Sequence, residues 1–222
     1  MIQTLTVKNT ISHMYDTLMS DGVFKIDHYI TGDDLQHLHD EVQDKCENEA
    51  GHYEFGRNYC GPSLNTFNSD SAIFKVYDAH WMRCLHRKYP NSGEYGQNVF
   101  ATHDYKFDGE LARNGWLHFD RGWRLKFFIY LTDIDKSSGA FSCSVGSRPI
   151  GRQLRHNAWE VKDYENVKNR IELDYPELLE KCPCEPVEAP SGTLIVFDTD
   201  TFHKGGKCDQ GKERLVVRLH CG

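Results

Sequence analysis

Apolar residues recur at three- and four-residue steps through "DDLQHLHDEVQDKC" (33–46), where Leu35, Leu38 and Val42 form one stripe of a half-buried helix. The same period runs through "SAIFKVYDAHWMRCLHRK" (71–88) on Ile73, Val76, Tyr77, Trp81 and Leu85, and stops short of Pro90. Between them, the Gly- and Pro-bearing "EFGRNYCGPSLN" (54–65) reads as a loop. Residues 1–90 are therefore expected to be mainly helical. From about residue 97 the pattern changes to short apolar runs bounded by Gly, Asp, Asn and Ser. Strands are expected at 98–107, 115–119, 124–132, 139–145, 193–198 and 214–220. A polar stretch at 148–184 interrupts them and reads as a partly helical insertion.

The outline is α+β with a mainly β core, in a single domain over 1–222. Its helical N-terminal part (1–90) packs on one sheet of a jelly-roll-like β core (97–222). A chain of 222 residues suffices for one sizeable core, and 39% hydrophobic against 27% charged residues excludes a disordered chain. No apolar run spans a bilayer; "TLIVF" (193–197) is among the longest. The start, "MIQTLTVKNTISHMYD", lacks the basic-then-apolar layout of a secretory signal, so a cytoplasmic location with reduced thiols is expected for the eight cysteines. Cys182 and Cys184 form a lone C-P-C that reads as a turn. A net charge of −7 speaks against a nucleic-acid partner. Oligomeric state is left open.

The stretch "WLHFDRGW" (116–123) places His118 and Asp120 two apart, so on an extended chain both point the same way. Chance alone supplies about one His-x-Asp in a chain of this composition, so the pair gains weight only from two residues further along the chain. His203 comes after the strand "TLIVFD", and Arg214 opens the strand "RLVVRLH". Two imidazoles and one carboxylate make the facial triad of non-heme Fe(II), and a guanidinium fork suits the carboxylate of an anionic cosubstrate. Arg218 shares a strand face with Arg214 and is read either as a contact to a substrate anion or as a salt bridge at the barrel mouth. Trp123 is a candidate pocket wall, whereas Trp116 reads as core and Phe119 should point away. His103 is near by strand order, as a substrate contact or as packing. Arg57 and Asn58 fall in the loop before the core. His37 and His39 of "HLHDE" face nearly opposite sides of their helix and read as solvated, and His80 and His86 read as surface residues.

The ordered set His118, Asp120, His203, Arg214 resembles the pattern of Fe(II)/2-oxoglutarate-dependent oxygenases, in particular the phytanoyl-CoA dioxygenase-like (PhyH) branch. "SDGVFKIDHYITGDDLQHL" (20–38), "SGAFSCSVGSRP" (138–149) and "SGTLIVFDTDTFHKGG" (191–206) resemble further segments of that branch. Val145 stands where the family usually has Pro, Arg148 where it has His, and Gly205 and Gly206 where it has polar residues. The resemblance implies a double-stranded β-helix (jelly roll, cupin-like). It implies iron bound by His118, Asp120 and His203, and the distal carboxylate of 2-oxoglutarate bound by Arg214. Thr102, on the preceding strand, and Lys126, on the following one, are further cosubstrate candidates. The activity implied is a dioxygenase using Fe(II), 2-oxoglutarate and O2 to hydroxylate a small molecule, with release of succinate and CO2. Asp120 speaks against halogenation, since halogenating relatives carry a small residue there. A peptide or protein hydroxylase of the same superfamily and a non-catalytic jelly-roll binding module stay open as alternatives.

Overall fold

The computed structural model describes residues 1–48, 52–54, 57–60, 71–90, 92–96, 98–106, 108, 115–160 and 168–222, with 52–54, 57–60 and 158–160 as backbone alone. Eight strands form one sheet in the order β1 (Gln3–Thr4), β2 (Val23–Ile26), β9 (Leu194–Asp198), β6 (Leu125–Tyr130), β11 (Arg214–Cys221), β5 (Asn98–Asp104), β4 (Arg57–Cys60), β3 (His52–Glu54). A second sheet has the order β10 (His203–Lys204), β7 (Ser142–Cys143), β8 (Glu185–Pro186). Neighbours pair antiparallel except the parallel β1 and β2.

The two-residue period of the central strands sorts side chains onto two faces. Leu125, Phe127, Ile129, Leu194, Val196, Val217 and Leu219 face α1 (Ile11–Ser20), α2 (Gly32–Asn48), α3 (Ala72–Lys75) and α4 (His80–Arg87) in the main core. Phe128, Tyr130, Ile195, Phe197 and Val216 face Phe141 and Cys143 in the space between the sheets. That second face also carries Lys126, Arg214, Arg218 and His220, so the strand period itself brings charged groups between the two sheets. Helices thus pack on one sheet, as expected.

The expected helix at 33–46 lies within α2, and four expected strands match β5, β6, β9 and β11. Several elements differ. The stretch 54–65 is not a loop in its described part: β4 pairs with β5, satisfying the hydrogen-bonding groups of an otherwise open edge. Residues 61–65 lie outside the described residues. The helix expected over 71–88 breaks at 76–79 into α3 and α4. Over 115–119 only His118 makes bridges, and over 139–145 only 142–143 is strand. The N-terminal part contributes β1 and β2 to the large sheet as well as helices. The 148–184 stretch contains α5 (Arg148–Glu160) and α6 (Ile171–Asp174). Cys46, expected as a reduced thiol, is disulfide-bonded. Among the described residues no helix is long and apolar enough to cross a membrane.

Candidate metal centre

His118 and His203 are tied to each other through their backbones. The His118 N–H donates to the His203 carbonyl at 3.0 Å, and the His203 N–H donates back at 2.7 Å. This reciprocal bridge, and not a long strand, sets the two rings side by side with centroids 4.4 Å apart. The Asp120 N–H donates to the Thr199 carbonyl at 3.0 Å, which brings the third group to the same place.

Each imidazole is oriented by a carbonyl two residues before it. Nδ1 of His118 lies 2.7 Å from the Trp116 carbonyl, and Nδ1 of His203 lies 2.7 Å from the Thr201 carbonyl. A carbonyl accepts only, so Nδ1 carries the proton and the lone pair is left on Nε2. Both Nε2 atoms aim at Oδ1 of Asp120, at 3.6 Å from His118 and 3.4 Å from His203. One donor atom from each residue lies within 4.8 Å of the others. Three lone pairs facing one point repel unless a cation joins them, and this donor set fits a divalent transition metal.

The electrostatics agree. Burial pushes the Asp120 carboxyl up, but Lys126, His118 and His203 outweigh it and hold the group well below the usual carboxylate range. The Lys126 ammonium is 2.6 Å from Oδ2 of Asp120. Burial, and then the neighbouring His118, push His203 down to about 4, so its ring is neutral and able to ligate at pH 7.

A cavity of about 190 Å³ opens beside these donors, walled among others by Phe100, Phe128, Phe197, Arg214 and Arg218. Arg214 is almost wholly buried. Its Nε and Nη2 donate to Oδ2 of Asp104 at 2.8 and 2.6 Å, and Nη1 contacts the Gly139 carbonyl. Two of the five guanidinium N–H groups are left over, enough for one more carboxylate. Arg218 also lines the cavity, with Asp104 at 3.8 Å. Thr102 is buried on the face of β5 that carries Asp104. Its Oγ1 has no hydrogen-bond partner among the described residues, and Thr102 is not one of the residues that line the cavity.

The structure places three further candidates as follows. Lys126 lines the cavity, but its ammonium is committed to Asp120. Trp123 turns to the helix side, 4.9 Å from Tyr89, with Nε1 donating to Oδ1 of Asp198 at 3.1 Å. Its position two residues before Leu125 puts it on the face of the main core. His103 falls between Thr102 and Asp104 and so points to the opposite face, where its ring nitrogens bond Glu213 at 2.8 Å and the Tyr105 hydroxyl at 2.6 Å. His86, expected on the surface, is buried near Trp123 and Tyr95.

Sequence reasoning missed four groups. Asp104 is the buried carboxylate facing Arg214 in the β5–β11 register. His220 continues the two-residue series Arg214, Val216, Arg218 and lines the cavity, a signal that was available in the sequence. Arg148 and Arg155 of α5 grip Asp198 (Nε to Oδ2, 2.6 Å) and Asp200 (Nε to Oδ1, 2.5 Å), at the start of the segment that carries the Thr199 and Thr201 carbonyls. Arg148 is one of the departures from the family pattern, and Asp198 is its partner.

The sequence profile of the family described as Phytanoyl-CoA dioxygenase (PhyH) matches residues 31–215. No curated protein matches the chain in sequence. Among solved structures, the epimerase SnoN in complex with Fe3+, α-ketoglutarate and nogalamycin RO aligns with TM-score 0.67 at 11% identity, over 95% of this chain and 82% of that one. The α-ketoglutarate-dependent carbocyclase SnoK from nogalamycin biosynthesis aligns with TM-score 0.67 at 13% identity, over 98% and 86%. HygX from Streptomyces hygroscopicus, with nickel, 2-oxoglutarate and hygromycin B bound, aligns with TM-score 0.61 at 13% identity, over 98% and 87%. The fold is therefore the expected α+β, sheet-dominated jelly roll, with two facing sheets that do not close into a barrel.

Proposed function

The chain belongs to the phytanoyl-CoA dioxygenase family and is an Fe(II)- and 2-oxoglutarate-dependent oxygenase, and on that premise we propose that it hydroxylates a small molecule with release of succinate and CO2. His118, Asp120 and His203 are assigned as the iron ligands, and Arg214 as the residue that clasps the distal carboxylate of 2-oxoglutarate. The observation that carries this is the convergence of two Nε2 lone pairs and Oδ1 of Asp120 within 4.8 Å, beside a cavity holding a buried guanidinium with donors to spare. SnoN with Fe3+ and α-ketoglutarate, and HygX with nickel and 2-oxoglutarate, support the same cofactor and cosubstrate here. Their nogalamycin RO and hygromycin B support a small-molecule substrate.

Bound Fe(II) supplies the oxidation of cosubstrate and substrate by O2. The chain's own residues do the rest. The Trp116 and Thr201 carbonyls keep both imidazoles in the ligating tautomer. Lys126 holds Oδ2 of Asp120, so Oδ1 is the oxygen that would hold the metal. Arg214, fixed by Asp104, is pre-set for a planar carboxylate. Phe100, Phe128 and Phe197 keep water from the reacting centre.

Anaerobic addition of Fe(II) and 2-oxoglutarate is expected to give a visible metal-to-ligand charge-transfer band, and O2 is expected to give succinate. Asp120→Ala is expected to lose both. No band in the wild-type protein, where a known 2-oxoglutarate oxygenase shows one, overturns the reading, as does turnover that survives Asp120→Ala.

A further inference from the structure

We propose that Arg218 and His220, which follow Arg214 along β11, form a subsite for a carboxylate on the substrate; this rests on the oxygenase reading above. Strand β11 presents Arg214, Val216, Arg218 and His220 to the cavity at two-residue steps. At about 3.4 Å per residue, the Cα atoms of Arg214 and His220 are on the order of 20 Å apart, and Arg218 stands between them, its Nη2 3.8 Å from the Asp104 oxygen that Arg214 holds at 2.6 Å. Arg214, with Asp104 beneath it, serves the cosubstrate. The other two residues face what remains of the cavity.

The subsite is built around Arg218. Its guanidinium lies 4.9 Å from the Phe128 ring centroid and 5.8 Å from that of Phe100. Phe128 on β6 and Phe100 on β5 are its direct partners across the two neighbouring strands, so the sheet register itself places a ring on either side. Flanking aromatic faces fix the plane of a guanidinium group. Asp104 is 3.8 Å away and already accepts two closer bonds, at 2.8 and 2.6 Å, from Arg214.

His220 supplies the second, independent sign. Its ring is 4.9 Å from Phe100 and 5.9 Å from Phe128, and it forms part of the cavity wall. Its Nε2 is buried and has no hydrogen-bond partner among the described residues. A buried polar atom is costly when nothing bonds it, and one on a cavity wall is satisfied by whatever fills the cavity. Lys126 on β6 is the register partner of His220 on β11 and touches Asp120, which links this subsite to the proposed metal ligands. A rigid fork, an imidazole nitrogen and aromatic flanks suit a small organic acid with an apolar body: the carboxylate on Arg218 and His220, the body on the phenylalanines.

The test uses protein loaded with Ni(II) and 2-oxoglutarate, and compares phenylacetate and hexanoate with their amides by calorimetry. In wild type the acids are expected to bind about tenfold tighter than the amides, the discrimination that one well-placed charged hydrogen-bonding group provides. Arg218→Gln and His220→Phe are each expected to reduce that preference to about twofold, with Arg218→Lys between, while the 2-oxoglutarate Kd stays within about twofold. Three outcomes overturn the proposal. The wild-type protein shows no preference for acids, the variants keep it, or Arg218→Gln weakens 2-oxoglutarate as much as the acids. Failure of the wild-type protein to take up Ni(II) and 2-oxoglutarate overturns the oxygenase reading separately. The acid–amide comparison on metal-free protein then decides the subsite alone.

Discussion

At the scale of single residues, the two oxygens of Asp120 have different partners: Oδ1 faces the imidazoles and Oδ2 the Lys126 ammonium. Lys126→Met keeps the stem and removes the cation, which frees the carboxylate to chelate through both oxygens. The expected result, read by calorimetry on Ni(II)-loaded protein, is a fall of about tenfold in 2-oxoglutarate affinity with metal affinity unchanged or higher. Arg214 makes a different case, because it does two jobs. Arg214→Gln takes from buried Asp104 its closest cation, and a broken buried pair costs about 3–5 kcal/mol. Urea unfolding of the metal-free protein should therefore register Arg214→Gln strongly and Lys126→Met weakly. Equal losses would show that the two cations are not distinguished by burial.

Among the elements, α5 is linked to the candidate metal centre through a second segment of the chain. Its Arg148 and Arg155 hold Asp198 and Asp200, and the intervening and following carbonyls of Thr199 and Thr201 position Asp120 and His203. Burial and Asp200 push the Asp198 carboxyl up against the pull of Arg148, so this pairing is held by geometry as much as by charge. The helix comes so close that a Cβ on Gly151 would overlap the Asp200 carbonyl oxygen and reach 3.2 Å from Phe202. Gly151→Ala is expected to cost about 1–3 kcal/mol, as overpacking does, and to weaken metal binding although the residue ligates nothing. Thermal unfolding and a Ni(II) titration check the two halves. A stability loss with metal affinity intact would show that α5 supports the fold but does not position the ligands.

Across the whole molecule, buried imidazoles tie stability to pH. Burial, followed by Lys126 and Arg218, holds His220 well below its ordinary value, and burial lowers His86. In the unfolded chain both take up protons near pH 6.5. Below that pH the unfolded state binds protons that the folded state refuses. Stability present above about 6.5 is therefore lost as pH falls towards the folded values, by up to about 1.4 kcal/mol per pH unit for each group. Urea midpoints at pH 7.5 and 5.5 should show this, and His220→Phe should flatten the dependence; an unchanged slope would place its folded value near 6.5. The same nonlocal packing divides what could be read along the chain from what could not. Residue chemistry and order singled out His118, Asp120, His203 and Arg214 as candidates, because ligand type and short spacing are local properties. Periodicity located α2 and the central strands, because one buried face leaves its trace in the chain. Trp123 and His103 could not be placed from the sequence because one step along a strand exchanges the cavity side for the helix side, and only the register fixes which. The pairing of Lys126 with Asp120 was not read, and Asp104 was not recognised at all, because an ion pair between distant strands has no local signature. The sequence by itself determined the candidate donors and the class of fold that carries them. The tertiary structure alone decided which face each donor takes and which charge answers which, since those depend on strand pairing and on contacts between residues far apart in the chain.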